Sequence, residues 1–399
     1  VSSHILYISY DGLTDPLGQS QILPYIIGLH DSKSYHFTII SAEKSDHYTS
    51  KKHIIERLIA HKNIDWQPVF YTKKPPVLST LWDLWKIKKA ALKIYRKKPF
   101  HIVHARSYLS ALVALTLKNH LKVKFIFDMR GFWADERLDG GLWSLQNPLY
   151  KRIYKFFKHK EKIFLQKADY TISLTHNAKQ EIQSWEGFEK TPIQVIPCCV
   201  DLEVFKPTSE ARLKSENLTV SYLGSIGTWY LLKEMLLFYK YLLEKYPNAV
   251  FSFITAENPQ PIIEEAKKLD LPLSQIKIRK ASRQEVPVML AESDFSLFFI
   301  KDAYSKKASS ATKMAEILAM GIPIITNNIG DHIFLDSQYH FGYLLHSLDD
   351  DSLQKAVEKI PDILGIPSEN LRNIAESYFS LEKGVDLYAE VYQKILPKP

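Results

Sequence analysis

Short apolar runs alternate with longer amphipathic stretches along most of the chain. Residues 5–9, 37–41, 102–104, 125–127 and 170–174 are such runs, and helical patterning falls between and after them. That alternation predicts a parallel sheet wrapped by helices. A second series occupies residues 219–223, 250–254, 276–278, 295–299 and 322–326, which predicts a second doubly wound half. Between the two, residues 194–207 read as a strand that stops at Pro197 and runs into a turn, the expected linker.

Length and charge sharpen this picture. At 399 residues the chain fits two domains of ordinary size. With 46% hydrophobic and 24% charged residues it has the make-up of a globular protein. The longest apolar runs, 111–117 and 295–300, fall far short of the roughly 20 residues that cross a bilayer. No basic segment followed by a long apolar stretch opens the sequence, so a cytoplasmic location is expected. The adjacent Cys198 and Cys199 are expected to be buried structural thiols. A net charge of +8 implies an anionic partner. Its distribution favours a membrane surface over nucleic acid. Lys86, Lys88, Lys89, Lys93, Arg96, Lys97 and Lys98 crowd one helical stretch, and Lys151, Arg152, Lys155, Lys158, Lys160, Lys162 and Lys167 crowd another. The second interleaves Tyr150, Ile153, Tyr154, Phe156, Phe157, Ile163, Phe164 and Leu165, the pattern of a basic amphipathic helix lying on anionic lipid.

Candidate chemistry gathers where predicted strands end. In residues 309–328, Ser309, Ser310 and Thr312 open a helix whose first amides favour an anion, with Lys313 adding charge. Glu316, one turn further on, is placed to accept from ribose hydroxyls, and Gly321 stops the helix before a β-branched strand. Gly224, Ser225, Gly227 and Thr228 form a second glycine-rich cradle ahead of a helix. The turn-rich loop from Tyr10 to Gln21 lacks a dinucleotide fingerprint, but Gly18 and Gln19 point from a strand end toward a ligand. Two more loops follow the strands at Ile102 and Phe125. They carry His104, Arg106, Asp128, Arg130, Trp133, Asp135 and Glu136. Arginines there can clamp a carboxylate or phosphate, and Trp133 with Trp143 offers flat faces for a sugar ring. Asp349, Asp350 and Asp351 look like a metal-binding triplet but precede a helix, and a helix cap is the better reading.

The 309–328 segment resembles the C-terminal donor-site motif of the retaining family-four glycosyltransferases of GT-B fold, in the variant with a Thr-Lys pair before the glutamate. Pro197, Val200, Asp201, Phe205 and Pro207 match the family's interdomain element, and residues 128–137 look like the Asp-x-Arg-Gly-x-Trp-x-Asp-Glu-Arg element of polysaccharide-building members. The resemblance implies two Rossmann-like α/β domains facing a cleft. Residues 1–200 would bind acceptor, residues 201–378 would bind nucleotide-sugar, and residues 379–399 would form a helix crossing back to the first domain. The Gly18–Gln19 loop would approach donor phosphate and acceptor, and Lys280 would lie where the base rests. Either Asp128 or His104 would take the place of the family's active-site histidine, with Arg130 and Lys313 completing the catalytic set. Arg106, Trp133, Asp135 and Glu136 would meet the acceptor.

Two departures stand out. Ser225 and Tyr230 replace the usual arginine and lysine after the first glycine, leaving Lys313, then Lys233, Arg279 and Lys280, to neutralise the diphosphate. Ala308 replaces the first of the paired glutamates. The implied activity is metal-independent, cofactor-free, retaining transfer of a hexosyl or N-acetylhexosaminyl group. The donor would be UDP- or GDP-linked and the acceptor a glycan or lipid-linked glycan, in bacterial surface polysaccharide synthesis on the inner membrane face. A non-catalytic partner subunit and a same-fold sugar-nucleotide 2-epimerase are the alternatives.

Overall fold

The computed structural model describes residues 3–33, 35–207 and 217–396. It divides into two compact units, one made of Val1–Pro197 with Leu381–Pro399 and the other of Cys198–Ser380.

The first unit is a parallel seven-stranded sheet. Its strands are β1 (His4–Ser9), β2 (His36–Glu43), β3 (Ile64–Phe70), β4 (Ile102–Arg106), β5 (Lys124–Asp128), β6 (Tyr170–Ser173) and β7 (Ile193–Val195), in the order β3-β2-β1-β4-β5-β6-β7. The reversal of order beside β1 is where ligands bind in such sheets, beyond the strands' carboxyl ends. Strands β1 and β2 are buried along their whole length, which explains their unbroken apolar runs. Strand β3 escapes the hydrophobic pattern because it is a half-exposed edge strand containing Pro68, a residue tolerated in sheets only where a ladder hydrogen bond is dispensable. The helices Leu78–Lys97, Ser107–Leu121 and Pro148–Lys167 stand side by side on one face. The Leu381–Ile395 helix packs on Leu23–Lys33, where the absence of a side chain at Gly28 admits Val385.

The second unit has six parallel strands: β8 (Thr219–Leu223), β9 (Val250–Ile254), β10 (Ile276–Arg279), β11 (Phe295–Phe298), β12 (Ile324–Asn327) and β13 (Gly342–Leu345). Their order is β10-β9-β8-β11-β12-β13. One continuous apolar core runs beneath it, from Val220 and Phe251 through Leu297 and Ile325 to Leu371. Strand β13 is four residues long and starts at Gly342, whose φ of +145° and closeness to the Ile324 backbone exclude a side chain.

Several expectations need correction. Gly18 and Gln19 lie in a short helix, Pro16–Gln21, rather than in a loop. His104 and Arg106 belong to strand β4, with a helix starting directly at Ser107, and Trp133 opens the helix Trp133–Asp139. The apolar stripe of Pro148–Lys167 does not face outward, because Phe157, Glu161, Phe164 and Leu165 are buried and only Phe156 of the interleaved set is exposed.

Candidate functional site

In the second unit the site grows from the start of the helix Thr312–Ala319. Almost every side chain of that helix is buried, and its N-cap Ala311 offers no side-chain hydrogen bond to the first turn. Lys313 is only 6% exposed. Its ammonium has no hydrogen-bond partner and sits over the rings of Tyr222 at 4.1 Å and Tyr230 at 3.5 Å. Burial pushes its pKa well below the ordinary lysine value, with Glu316 the opposing influence.

Gly224 makes room for this arrangement. Its φ is +112°, and a Cβ there would stand 3.1 Å from the Lys313 ammonium. Ser225 and Thr228 are exposed beyond it, and the Ser225 carbonyl accepts from the Tyr222 hydroxyl. Gly227 meets nothing within 4 Å of a built Cβ, so no steric demand fixes a glycine there.

Glu316 lies one turn along the helix, 3.3 Å from Arg283, and burial raises its carboxyl to about 7 despite Arg283 and Lys313. Arg283 in turn lies over Phe205. Arg283 lies three residues after Lys280, and its pairing with Glu316 is what marks it as part of the site. Ser310 accepts from the Cys198 amide at 3.1 Å and so anchors the start of this unit, while Ser309 and Thr312 are partly exposed. Lys280 and Lys233 are exposed, and Arg279 is committed to Glu292 and Ser252. Of these four candidate cations Lys313 is the buried one, and it has no hydrogen-bond partner among the described residues. Ala308 is buried, so nothing replaces the missing carboxylate at that position.

In the first unit a charged cluster lies under the carboxyl edge of β4 and β5. Asp128 is fully buried. It is 3.4 Å from His104 Nε2, accepts from Tyr388 at 3.2 Å, and stands 3.9 Å from both Arg106 and Arg130. Against burial, Arg130 first and then His104 and Arg106 hold its carboxyl below the usual range. His104 Nδ1 meets the Tyr392 hydroxyl at 2.7 Å, so both ring nitrogens are engaged, and burial lowers its pKa. Both side chains lie buried under the strand end, with the His104 ring held between Asp128 and Tyr392. They hold Arg106, which also reaches Asp11 at 3.6 Å, and Arg130, whose φ of +57° turns the chain at the strand end.

Asp135 changes role. It accepts from Tyr154 at 2.8 Å and Lys158 at 2.7 Å, and Lys158 continues to buried Glu161, which takes the Tyr108 hydroxyl. This network locks helices together and leaves Asp135 no surface for an acceptor. Trp133 is packed against Tyr108, Trp143 and Phe157, with Arg137 at 4.8 Å over its ring. Glu136 remains partly exposed beside it. Sequence reasoning missed Glu43. Fully buried, it accepts from the Leu13 and Thr14 amides and from the Thr14 and Ser41 hydroxyls, and it approaches Gly12 so closely that a Cβ would stand 2.7 Å away. It shapes the segment that carries Gly18, which is itself packed on Gly12 and Leu13, and Gln19, bonded to the Thr14 carbonyl at 3.0 Å.

Asp349 caps its helix by accepting from Ser352, as the sequence suggested. Among the described residues no helix is long and apolar enough to cross a membrane.

Two doubly wound parallel units of this kind are the architecture of the GT-B fold. Sucrose-phosphate synthase from Thermosynechococcus elongatus aligns with a TM-score of 0.72 at 14% identity, over 98% of this chain and 99% of that one. HepE from Anabaena, solved with UDP and glucose, aligns at 0.68 and 13% identity, over 98% and 99% of the two chains. Residues 30–204 match Glycosyltransferase Family 4. The Escherichia coli UDP-Gal:alpha-D-GlcNAc-diphosphoundecaprenol alpha-1,3-galactosyltransferase is 25% identical over 333 residues, 79% of this chain and 82% of that protein. In sequence over residues 30–204, and in fold over nearly its whole length, the chain resembles the GT4-like glycosyltransferases of GT-B fold.

Proposed function

We propose that this chain is a retaining glycosyltransferase that moves a hexosyl or N-acetylhexosaminyl group from a UDP- or GDP-sugar to a lipid-linked glycan. Its place would be the inner membrane face, in the synthesis of a bacterial surface polysaccharide. The observation that carries the reading is Lys313, a buried ammonium without a hydrogen-bond partner at an uncapped helix start beside Gly224. A donor diphosphate is the ligand that would satisfy both the ammonium and the free amides.

As the glycosidic bond to phosphate lengthens, negative charge builds on the leaving diphosphate, and a cation already in place stabilises it without reorganisation. Lys313 and the helix start supply that charge in this reading, so no metal is required. Glu316 accepts from the ribose, and the base rests near Lys280. Attack by the acceptor hydroxyl on the face the diphosphate leaves, with the departing phosphate as base, retains configuration. In the first unit Arg106 and Arg130, held by Asp128 and His104, meet the sugars.

The acceptor named in the E. coli relative is diphosphoundecaprenol-linked, which supports a lipid-linked substrate here. Exposed apolar residues supported by lysines favour contact with an anionic membrane. They are Leu78, Leu81, Trp82 and Trp85 at one helix start and Leu142, Leu145 and Leu149 before another. Ala308 favours a second reading, a non-catalytic nucleotide-binding subunit.

Thermal stabilisation by UDP, GDP, CDP and their sugars, with and without EDTA, separates the readings. An EDTA-insensitive shift with one nucleotide family, followed by sugar transfer or donor hydrolysis, is expected. A shift without turnover would favour the subunit, epimerised donor would favour an epimerase, and no shift with any nucleotide would refute the donor site.

A further inference from the structure

We infer that Arg137 receives the diphosphate of the lipid-linked acceptor. The inference rests on the lipid-linked acceptor proposed above and assigns the residue that reads its anionic link. Arg137 leaves the helix Trp133–Asp139 with its guanidinium 4.8 Å over the Trp133 ring. Among the described residues its side chain makes no ion pair or side-chain hydrogen bond; Glu136, Asp11 and Tyr71 act on it only through longer-range electrostatics. Trp133 is a fixed platform, held by Tyr108, Trp143 and Phe157 at 5.9, 5.3 and 4.7 Å. A planar guanidinium so mounted presents its paired N–H groups to a phosphate with little ordering cost. The acids that act on it, Glu136 and Asp11, do so without closing an ion pair, and Asp135 is held by Tyr154 and Lys158.

Its surroundings suit a lipid. Tyr71, close enough to influence Arg137, leads into the exposed Val77, Leu78, Leu81, Trp82 and Trp85, the last two stacked at 4.7 Å. On the other side, Leu142, Leu145 and Leu149 follow within a dozen residues and are equally exposed. Both apolar rims lie at N-terminal ends of helices on one face of the sheet, hence at the strands' carboxyl edge. Lys73, Lys74 and Lys89 are exposed beside the first rim, whose only carboxylate, Asp83, is buried and bonded to Tyr10, Thr72 and Lys86. Apolar chain at the rims and diphosphate at Arg137 is the arrangement this places together.

The test is equilibrium binding of farnesyl diphosphate in detergent micelles to the full chain. A Lys313→Ala background keeps the donor site from competing for diphosphate. Inorganic pyrophosphate and phosphatidylglycerol vesicles are run in parallel. Arg137→Gln should weaken farnesyl diphosphate and pyrophosphate at least tenfold, Arg137→Lys should recover part of the loss, and vesicle binding should be unchanged. Diphosphate binding that is absent in the parent, or equal in Arg137→Gln and the parent, overturns the assignment. So does a loss confined to the vesicles, which would make Arg137 a headgroup contact. With Lys313 intact, Arg137→Gln should keep the parent's nucleotide-induced thermal shift. A parent that shows no nucleotide shift refutes the donor reading and leaves the farnesyl diphosphate result interpretable.

Discussion

Replacing Lys313 by methionine should stabilise the unliganded protein while destroying its response to nucleotide. Among the described residues the buried Lys313 ammonium lacks a hydrogen bond; it sits over ring faces at 3.5 and 4.1 Å, with Glu316 as its electrostatic counterpart. Leaving a buried polar donor unsatisfied costs about 1–3 kcal/mol, more for a charge. Two cation–π contacts return about 0.5–2 kcal/mol. The balance favours methionine, of similar shape, by about 1 kcal/mol, or roughly 2–4 °C in melting temperature for a unit of this size. Charged hydrogen bonds to a diphosphate contribute about 1.5–3 kcal/mol, so their loss weakens nucleotide binding roughly ten- to hundredfold. Calorimetric melting of parent and Lys313→Met with increasing nucleotide reads both effects. The sign of proton linkage follows from the same geometry. The free ammonium is held below its ordinary pKa and a bound diphosphate raises it. Binding therefore takes up a proton wherever the pH exceeds the free value, and affinity falls as pH rises further. Titration calorimetry in buffers of different ionisation heat measures that uptake. A variant that melts below the parent yet keeps its full nucleotide shift would refute the reasoning.

Three further outcomes follow from the structure. Glu316 is raised from 4.5 to about 7, so its contribution to stability is complete below pH 4.5 and lost as pH rises through 7, about 3 kcal/mol at most; Glu316→Gln should flatten that stretch of the melting-versus-pH curve, and an unchanged slope would contradict the assignment. Glu43→Gln places a donor among four donors, from Leu13, Thr14 and Ser41; denaturant unfolding should report a loss of about 3 kcal/mol, and a near-neutral variant would show that the 11–14 segment is held by other means. Trp82→Ala with Trp85→Ala removes the stacked, exposed pair; co-sedimentation with phosphatidylglycerol vesicles should fall several-fold with melting unchanged, whereas equal sedimentation would remove this rim from membrane contact.

Eleven of the thirteen strands were legible because buried parallel strands are apolar throughout, and the two that escaped, β3 and β13, are edge strands with little buried surface to declare them. The helix start at Lys313 was legible from the small residues before it and the glycine after it. Direction of burial was not. Periodicity marked an apolar stripe on Pro148–Lys167, but nothing local says whether such a stripe meets lipid or the protein's interior, and Phe164 meets Phe127 of the sheet while Phe157 meets Trp133. Roles assigned by type met the same limit. Asp135 and His104 have the chemistry of substrate ligands, yet their partners, Lys158 and Tyr392, arrive from positions 23 and 288 residues away. Glu43 carried little local signal, since three of its four donors, from Leu13 and Thr14, are brought to it by the pairing of β1 with β2.

The departures from the family pattern around Gly224 find a common explanation in Tyr230. A lysine at that position would place a second ammonium close to Lys313, and in so dry a setting the two charges could not both persist. Tyrosine instead offers its ring face 3.5 Å from the Lys313 ammonium, while Tyr222 supplies a second face at 4.1 Å. The rings hold the cation without spending its hydrogen-bonding capacity, which leaves its N–H groups available to an arriving anion. Glycine at 224 is part of the same arrangement, because any side chain there would crowd the ammonium and would be strained at that φ. Read together, Tyr230, Tyr222 and Gly224 move the positive charge from the loop to the helix start. The missing lysine at 230 is then a relocation of the cation, and it weighs against the non-catalytic reading that Ala308 alone would favour.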